Sequence, residues 1–265
     1  MKILAIGDPH GDLKKVRKIP LKGIDLILLT GDLGKANLAR ERFFENVNRK
    51  KEGLPELKDD AKYDWDNYHE IHDSTLNILR YLSKYAPIYS IWGNVSIFTD
   101  SKAKSKSKKW RRKFPSTISE IRKLDNVSLV KNKLRVLDDI RLGFLEWFTD
   151  TCWVREFKPT DYIKSMKKAK KQTDKARRIL RNFGGLDILV CHQPPYGFLD
   201  KVTLKSAPKH WQGKHAGSKT ILEYIRKQQP KYVFCGHIHE GEGKTRVGKT
   251  EVYNLGVCGY KVVEI

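Results

Sequence analysis

Side chains that could bind a divalent metal follow several apolar runs of this sequence. The first run, residues 3–6, ends at Gly7, and Asp8 and His10 come next with Pro9 between them. Residues i and i+2 of an extended segment point to the same side, so this carboxylate and this imidazole can meet just beyond a buried strand. Oxygen and nitrogen donors on a stiff proline turn form half of a metal site. The alternative is a turn with an ordinary hydrogen-bonded histidine.

Four more apolar runs end in the same way. They lie at residues 24–29, 87–92, 186–191 and 231–235, and the donors that follow them are Asp32, Asn94, His192 and the pair His237 and His239. Ligands gather beyond the carboxyl ends of strands in layered α/β proteins, so we expect these side chains, with Asp8 and His10, to line one cleft. All are suitable ligands for Mn, Fe, Zn or Ni. Two metals about 3.5–4 Å apart would account for seven ligands and would form a clamp for in-line displacement at phosphorus.

Strands that alternate with helices, followed by a C-terminal meander, indicate a layered α/β fold. The apolar spacing predicts helices over residues 36–48, 66–85, 119–124, 160–183 and 218–228. Short strands at 127–130, 134–137 and 141–146 are expected to be antiparallel because their connections are tight. A second antiparallel set is expected at 245–247, 251–254 and 260–263.

Two of the predicted helices carry residues with a possible functional or structural role. The helix over 66–85 contains His69 and His72, whose i, i+3 spacing could bind a metal, although a half-exposed helix face is the favoured interpretation. The helix over 160–183 is amphipathic with a face of Lys and Arg, and Thr160 and Gly184 are suited to cap its start and its end.

Positive charge is concentrated in two segments. The chain has a formal net charge of +22, of which residues 101–113 and 160–181 supply +15. Residues 101–113 are expected to form an exposed loop or insertion, with Trp110 inside a run of Lys and Arg. Basic side chains with an interleaved aromatic suit a nucleic-acid backbone and its bases, and the alternative is an ordinary solvated surface.

The remaining composition indicates a cytoplasmic protein. In 265 residues no stretch approaches 18 uncharged apolar residues, so no transmembrane helix is expected, and the N-terminus does not resemble a signal peptide. The four cysteines form no CxxC pair. Cys191 and Cys235 lie in apolar runs and are expected to be reduced core residues.

The ordered set Asp-x-His, Gly-Asp, Gly-Asn, His and Gly-His-x-His, over residues 8–239, resembles the calcineurin-like metallophosphoesterase superfamily. The last motif and the loop at 192–197 are most similar to small prokaryotic or archaeal members. The resemblance implies one domain over residues 1–265, a four-layer α/β sandwich of two mixed β-sheets flanked by helices, with basic insertions around 100–115 and 155–183. It also implies how the ligands are shared: Asp8, His10 and His239 on one ion, Asn94, His192 and His237 on the other, and Asp32 bridging both.

The activity implied by the resemblance is metal-dependent hydrolysis of phosphoester bonds. Two divalent ions, Mn in first place, would activate a hydroxide that attacks phosphorus, with Asp32 and Asn94 at the reacting centre. Family members usually have Gly-Asn-His after the third strand, and that histidine protonates the leaving group or holds the phosphate, whereas this chain has Val95. Three alternatives follow: a preference for good leaving groups, a substitute acid in His215 or His210, or metal binding with poor catalysis.

The substrate is expected to be anionic and to carry a phosphodiester. Val95 and the basic charge favour a diester, including a nucleotide or nucleic acid, over a monoester, and Lys214, Arg111 and Arg112 are the predicted substrate-binding residues. The segment after Asp32 lacks the arginine of the Ser/Thr protein phosphatases, which argues against that subclass. The alternative function is a nucleic-acid-binding protein or scaffold with a weakly catalytic metal site.

Overall fold

A computed structural model of the chain describes residues 1–265 except Ser96 and Ser206. Its strands, in chain order, are Lys2–Ile6 (β1), Leu26–Leu29 (β2), Ile88–Ser90 (β3), Val127–Leu129 (β4), Lys133–Leu137 (β5), Ile140–Leu145 (β6), Ile188–Cys191 (β7), Tyr232–Cys235 (β8), Gly243–Val247 (β9), Thr250–Asn254 (β10) and Tyr260–Glu264 (β11). Its α-helices are Leu13–Val16 (α1), Asn37–Lys51 (α2), Ala61–Leu82 (α3), Asp100–Trp110 (α4), Thr117–Ile121 (α5), Thr151–Phe157 (α6), Tyr162–Phe183 (α7) and Lys219–Gln228 (α8).

The strands form two mixed sheets. The first has the order β11-β1-β2-β3-β4, and the second has the order β5-β6-β7-β8-β10-β9. In the first sheet β1 to β4 are parallel and β11 is antiparallel to β1. In the second sheet the parallel centre, β6-β7-β8-β10, has one antiparallel strand at each edge, β5 and β9. The central strands β2 and β7 are continuous apolar runs because both of their faces are covered.

The core consists of three layers of side chains that follow the alternation of each strand. Ile3 and Ala5 of β1 point inward, where they meet Phe144 of β6 and Val190 of β7 between the sheets. The alternate residues of β1 and β2 point outward and pack under α3. The outer face of the second sheet is covered by α7 and α8. The observed architecture is therefore the predicted four-layer sandwich, with helices on the outside of both sheets.

Two predicted strand pairings were wrong. Residues 127–129 do not join the antiparallel set, because β4 follows α5 and pairs parallel with β3 in the first sheet; only β5 and β6 form the expected hairpin. Likewise β9 and β10 are antiparallel, but β11 crosses to the first sheet and pairs with β1. Both strands pair over long sequence distances, which connection length does not reveal.

The basic segment at 101–113 was predicted as a loop and is largely helix α4. The Thr99 hydroxyl caps it by accepting from the N–H of Lys102. Lys106 and the indole N–H of Trp110 both donate to the buried carboxylate of Asp64 on α3, at 2.5–2.6 Å. These contacts fix α4 against α3. Lys102 lies over the Phe98 ring, whereas Lys104, Lys108 and Lys109 are exposed. That this helix and α7 are insertions into the domain stays a prediction.

The predicted amphipathic helix over 160–183 is confirmed as α7, which buries Ala169, Thr173, Ala176, Leu180 and Phe183 and exposes its Lys and Arg side chains. Gly184 ends the helix as expected, but the Thr160 cap was wrong. Asp161 occupies the N-cap position, and its side chain makes no capping hydrogen bond. Among the described residues no helix is both long and apolar enough to cross a bilayer.

Candidate metal centre

The seven predicted metal ligands lie at the carboxyl ends of five strands from both sheets. Asp8 and His10 follow β1, Asp32 follows β2, and Asn94 follows β3 in the first sheet. His192 follows β7, and His237 and His239 follow β8 in the second sheet. Because neighbouring parallel strands end at the same edge, side chains distant in sequence meet in one place. The two histidines on α3 lie elsewhere: His69 pairs with Asp73, and the buried His72 contacts Thr117.

Asp8 is fully buried and is held from two sides. The Thr30 hydroxyl donates to its Oδ1 at 2.6 Å, and the backbone N–H of His237 donates to its Oδ2 at 2.6 Å. Gly236 is required next to it, because any Cβ at that position would lie 2.5 Å from both carboxylate oxygens. The carboxylate is therefore fixed, with lone pairs left for a further partner.

A first donor group combines Asp8 with His10 and His239. The Nε2 atoms of the two imidazoles are 3.1 Å apart, and Nε2 of His239 is 3.4 Å from Oδ2 of Asp8. The ligand atoms of the three residues all lie within 4.8 Å of one another. Two ligands at about 2.1 Å from one ion and at a right angle to each other are separated by about 3 Å. The spacing of this group therefore fits a single divalent ion.

A second donor group forms around Asn94. Its Oδ1 lies 2.7 Å from Nε2 of His192 and 2.8 Å from Nδ1 of His237. The other ring nitrogen of His192, Nδ1, lies 2.9 Å from the carbonyl oxygen of Thr30, which can only accept, so Nδ1 carries the proton. In the neutral imidazole Nε2 then has a lone pair that faces the lone pairs of Asn94. A shared cation would satisfy both atoms.

The Asp32 carboxylate lies between the two groups. Its Oδ2 is 3.8 Å from Nε2 of His10 in the first group and 3.5 Å from Nε2 of His192 in the second. Its Oδ1 accepts the backbone N–H of Val95 at 2.8 Å. Asp32 is buried, and its Oδ2 faces side chains of both donor groups.

Three of the four shifted pKa values in the centre favour the forms that bind a metal. Burial alone would raise the pKa of Asp8, but the neighbouring imidazoles, His192 foremost, outweigh it and hold that pKa far below its usual range. Burial lowers the pKa of His10, and it lowers the pKa of His237 further. His239 differs, because its contact with Asp8 outweighs burial and raises its pKa. Ionised carboxylates and neutral imidazoles are the forms that bind a metal.

Backbone strain is present at three of these residues, which are among eleven non-glycine residues with positive φ in the described part of the chain. His10, Asp32 and His237 have φ angles of 42°, 37° and 66°, in the left-handed region. Each such residue other than glycine costs about 1 kcal/mol or more and persists only where its surroundings hold it. Here the N–H of His10 donates to the carbonyl of Asp32 at 2.9 Å, which ties two of these turns together. The strain is stored where the donor atoms must converge.

The predicted catalytic His215 lies in the loop that follows His192. Its Nδ1 is 2.7 Å from Oδ1 of the buried Asp200, whose Oδ2 also accepts the N–H groups of Gly197 and Gly217. The next residue, Ala216, belongs to the same buried apolar cluster as Ile238, which separates His237 from His239. The loop that carries His215 is thus packed on the turn that carries two of the donors.

The contacts of the predicted substrate-binding residues lie outside the two donor groups. The ammonium of Lys214 donates to the Glu156 carbonyl at 2.9 Å, at the end of α6. Arg111 and Arg112 follow the 11-residue helix α4. Arg112 stacks on Trp65, with its guanidinium carbon 3.1 Å from the ring centroid.

Two residues that support the centre were missed in the sequence. Thr30 binds Asp8 through its hydroxyl and His192 through its carbonyl, which joins β2 to β1 and β7. Gln193 follows His192 and exchanges hydrogen bonds with the backbone of Phe148 after β6. The sequence signals that could have indicated them are their positions: Thr30 comes directly before Gly31-Asp32, and Gln193 comes directly after His192.

Comparison with known proteins gives relatives that share part or all of the chain. Metallophosphoesterase domain-containing protein 1 of Homo sapiens is 43% identical over 75 residues, which is 28% of this chain and 21% of that protein. UPF0046 protein T07D4.2 of Caenorhabditis elegans is 26% identical over 263 residues, covering 97% of this chain and 56% of the relative. The chain therefore spans only a part of each. Both relatives are animal proteins, so a closer likeness to prokaryotic or archaeal members stays a prediction.

A solved crystal structure shares the fold with a TM-score of 0.59 at 16% identity, covering 99% of this chain and 94% of that one. A family model described as calcineurin-like phosphoesterase matches residues 1–241. This match includes all five strand ends of the centre. The chain therefore belongs to the calcineurin-like phosphoesterase family.

Proposed function

We propose that this chain hydrolyses phosphoesters at a centre of two divalent ions. The observation that carries the proposal is the position of Asp32, whose Oδ2 faces His10 of one donor group and His192 of the other. A carboxylate between two sets of ligands can bridge two ions, which is the arrangement that clamps a phosphoryl group for in-line displacement.

The ligands are divided as the donor groups suggest. Asp8, His10 and His239 would hold one ion, Asn94, His192 and His237 the other, and Asp32 both. Carboxylate, amide and imidazole donors without thiolate favour Mn, with Fe, Zn or Ni as alternatives. When bound, such ions lower the pKa of water and neutralise charge on the phosphoryl oxygens. Thr30 and Gly236 would keep the Asp8 carboxylate in place for this task.

The leaving group is the point at which this chain departs from the family pattern. The side chain of Val95 has no proton to donate, so the chain is expected to favour esters whose leaving groups depart without being protonated. His215 is the candidate substitute acid, because Asp200 binds its Nδ1 and its loop packs against Ile238. His210 is the weaker candidate, since it lies beside Lys51 at the end of α2. Phosphodiesters are the proposed substrate class.

A second candidate function is nucleic-acid binding with hydrolysis as a minor activity. The exposed Lys and Arg side chains of α4 and α7 favour it. However, α4 packs against α3 and α5 beside the first sheet, whereas α7 packs against α6 and α8 beside the second. The two helices would therefore form two separate basic surfaces.

Hydrolysis of matched aryl esters by metal-stripped protein tests the proposal. We expect Mn²⁺ to restore turnover of bis(4-nitrophenyl) phosphate, and turnover of 4-nitrophenyl phosphate to be slower. His239→Ala should abolish the Mn²⁺ response, while His69→Ala on α3 should retain it. A metal response that survives His239→Ala would contradict the proposed ligand set, and a faster monoester would contradict the diester preference.

A further inference from the structure

Trp147 lies beside the strand ends that carry the second donor group. It is the second residue after β6, the strand that neighbours β7 in the second sheet. Its backbone N–H donates to the carbonyl of Trp92 at 3.3 Å, and Trp92 lies two residues before Asn94. This hydrogen bond connects the segment after β6 to the segment after β3.

The backbone on the other side of Trp147 is fixed as well. The Gln193 side chain donates from Nε2 to the carbonyl of Phe148 at 2.8 Å and accepts the Phe148 N–H at 3.4 Å. Gln193 directly follows His192, and Phe148 is buried. The position of Trp147 is therefore set by the neighbours of Asn94 and of His192, the two ligands that approach each other to 2.7 Å.

The indole of Trp147 is nevertheless exposed. The side chain is 37% accessible, and among the described residues it makes no ring stacking, cation–π contact or hydrogen bond. The other tryptophans differ: Trp65 and Trp110 contact Arg112 and Asp64, Trp153 and Trp211 pack on each other, and Trp92 lies in the core. A flat apolar ring on a backbone that is fixed beside the second donor group is suited to stacking.

We propose that the Trp147 indole stacks on the aromatic group of the phosphoester substrate, so that the substrate class is a nucleotide or a nucleotide-containing diester. The inference rests on the proposed function, because the phosphoryl group must lie at the metal centre for its base to reach Trp147. Stacking on an aromatic side chain is tolerant of base identity. The site would therefore select for the presence of a base.

Binding of a nucleotide and of the same phosphate without its base tests the assignment. Calorimetric titration of the Mn²⁺-loaded protein with adenosine 5′-monophosphate and with ribose 5-phosphate measures what the base contributes. We expect the wild type to bind the nucleotide about 10-fold more tightly. Trp147→Ala should bring the ratio of the two affinities close to one and leave the affinity for ribose 5-phosphate unchanged. Trp147→Phe should keep most of the preference for the nucleotide.

The matched control is Tyr85→Ala, which removes an exposed aromatic side chain at the opposite, amino-terminal end of β3. It should not change the ratio. The assignment would be overturned if Trp147→Ala left the ratio of the two affinities unchanged or weakened both ligands equally. Equal affinities of the wild type for the two ligands would also overturn it. If the preference for the nucleotide over ribose 5-phosphate depends on Trp147 but no ester is hydrolysed, the proposed function fails and the stacking assignment stands.

Discussion

The backbone N–H of Val95 donates to Oδ1 of Asp32, 2.8 Å away, while Oδ2 of the same carboxylate faces both donor groups. The residue that replaces the usual family histidine thus still orients the proposed bridging ligand through its main chain. Its side chain packs with Ala36, Ile71 and Ile97 and has no proton to give. The two tasks of this position, holding Asp32 and serving the leaving group, are therefore separable.

Restoring a histidine should change leaving-group selectivity. Because the backbone bond to Asp32 does not depend on the side chain, Val95→His should keep the metal centre and add a proton donor. We expect the rate for an alkyl phosphodiester, relative to an aryl one, to rise about 10-fold or more, since general acid catalysis matters most for poor leaving groups. Val95→Ala is the control. Equal gains for both esters, or no gain, would show that this position does not face the leaving group.

Removal of His215 tests the substitute acid. Asp200 binds Nδ1 of this imidazole, so Nε2 is left to exchange a proton with a substrate. We expect His215→Ala to slow alkyl esters by about 10²-fold and aryl esters much less, whereas His210→Ala should change neither. Steady-state rates on paired substrates measure the difference. An equal loss on both esters would mean that His215 only supports the loop.

Glu146 gives a prediction for stability against pH. Burial raises the pKa of this carboxyl in the folded chain, and its Oε1 has no hydrogen-bond partner among the described residues. A raised pKa means that the contribution of Glu146 to stability is complete below its unfolded pKa and is lost as pH rises through the folded pKa. Glu146→Gln should therefore raise Tm at pH 7–8 by about 2–4 °C, and the gain should disappear near pH 4.

Glu251 is the matched control for this experiment. Its contacts with Tyr253, Lys244 and Arg246 lower its pKa to about 2, so its stabilisation is present at neutral pH and is lost as pH falls through that value. Glu251→Gln should therefore lower Tm at pH 7. Thermal unfolding of the two variants between pH 4 and pH 8 checks the opposite signs. A lower Tm for Glu146→Gln at pH 7 would show that its ionised form is stabilising.

The basic end of α4 is tested by nucleic-acid binding. We expect the double variant Arg111→Ala with Arg112→Ala to weaken binding of single-stranded DNA and to reduce the dependence of affinity on salt, since fewer counterions are released. Hydrolysis of a small aryl phosphate should not change. Lys167→Ala with Lys168→Ala on α7 is the comparison that tells which basic surface is used. Binding that does not weaken with salt would contradict an electrostatic surface.

The convergence of the seven candidate ligands could be predicted from the sequence because its signals are local, while their binding of metal stays a prediction. Each donor directly follows an apolar run, so Asp8, His192 and the other ligands could be placed at strand ends without knowledge of the fold. Pairings such as that of β11 with β1 depend on contacts across the whole chain. The α4 helix was missed because its stability comes from a buried contact with Asp64 rather than from its own apolar pattern.

The supporting residues were harder to foresee for a similar reason. Trp147 and Gln193 have ordinary local sequences, and their positions acquire meaning only when β6 lies beside β7. The Asp200 contact that orients His215 likewise closes a loop of 15 residues. Sequence patterns predicted which residues could be ligands, while the residues that hold them became visible only in three dimensions.

The most direct test of the two-metal account is to compare the wild type with Asp32→Asn for bound metal and turnover. Asparagine has the same shape and can still accept the Val95 N–H, but it lacks the charge that would bridge two ions. Metal analysis and bis(4-nitrophenyl) phosphate hydrolysis should show two Mn²⁺ per chain and Mn²⁺-dependent turnover in the wild type. In Asp32→Asn we predict fewer bound ions and a turnover at least about 10²-fold lower. The account would be contradicted if Asp32→Asn, or the metal-free protein, turned over the ester as fast as the Mn²⁺-loaded wild type.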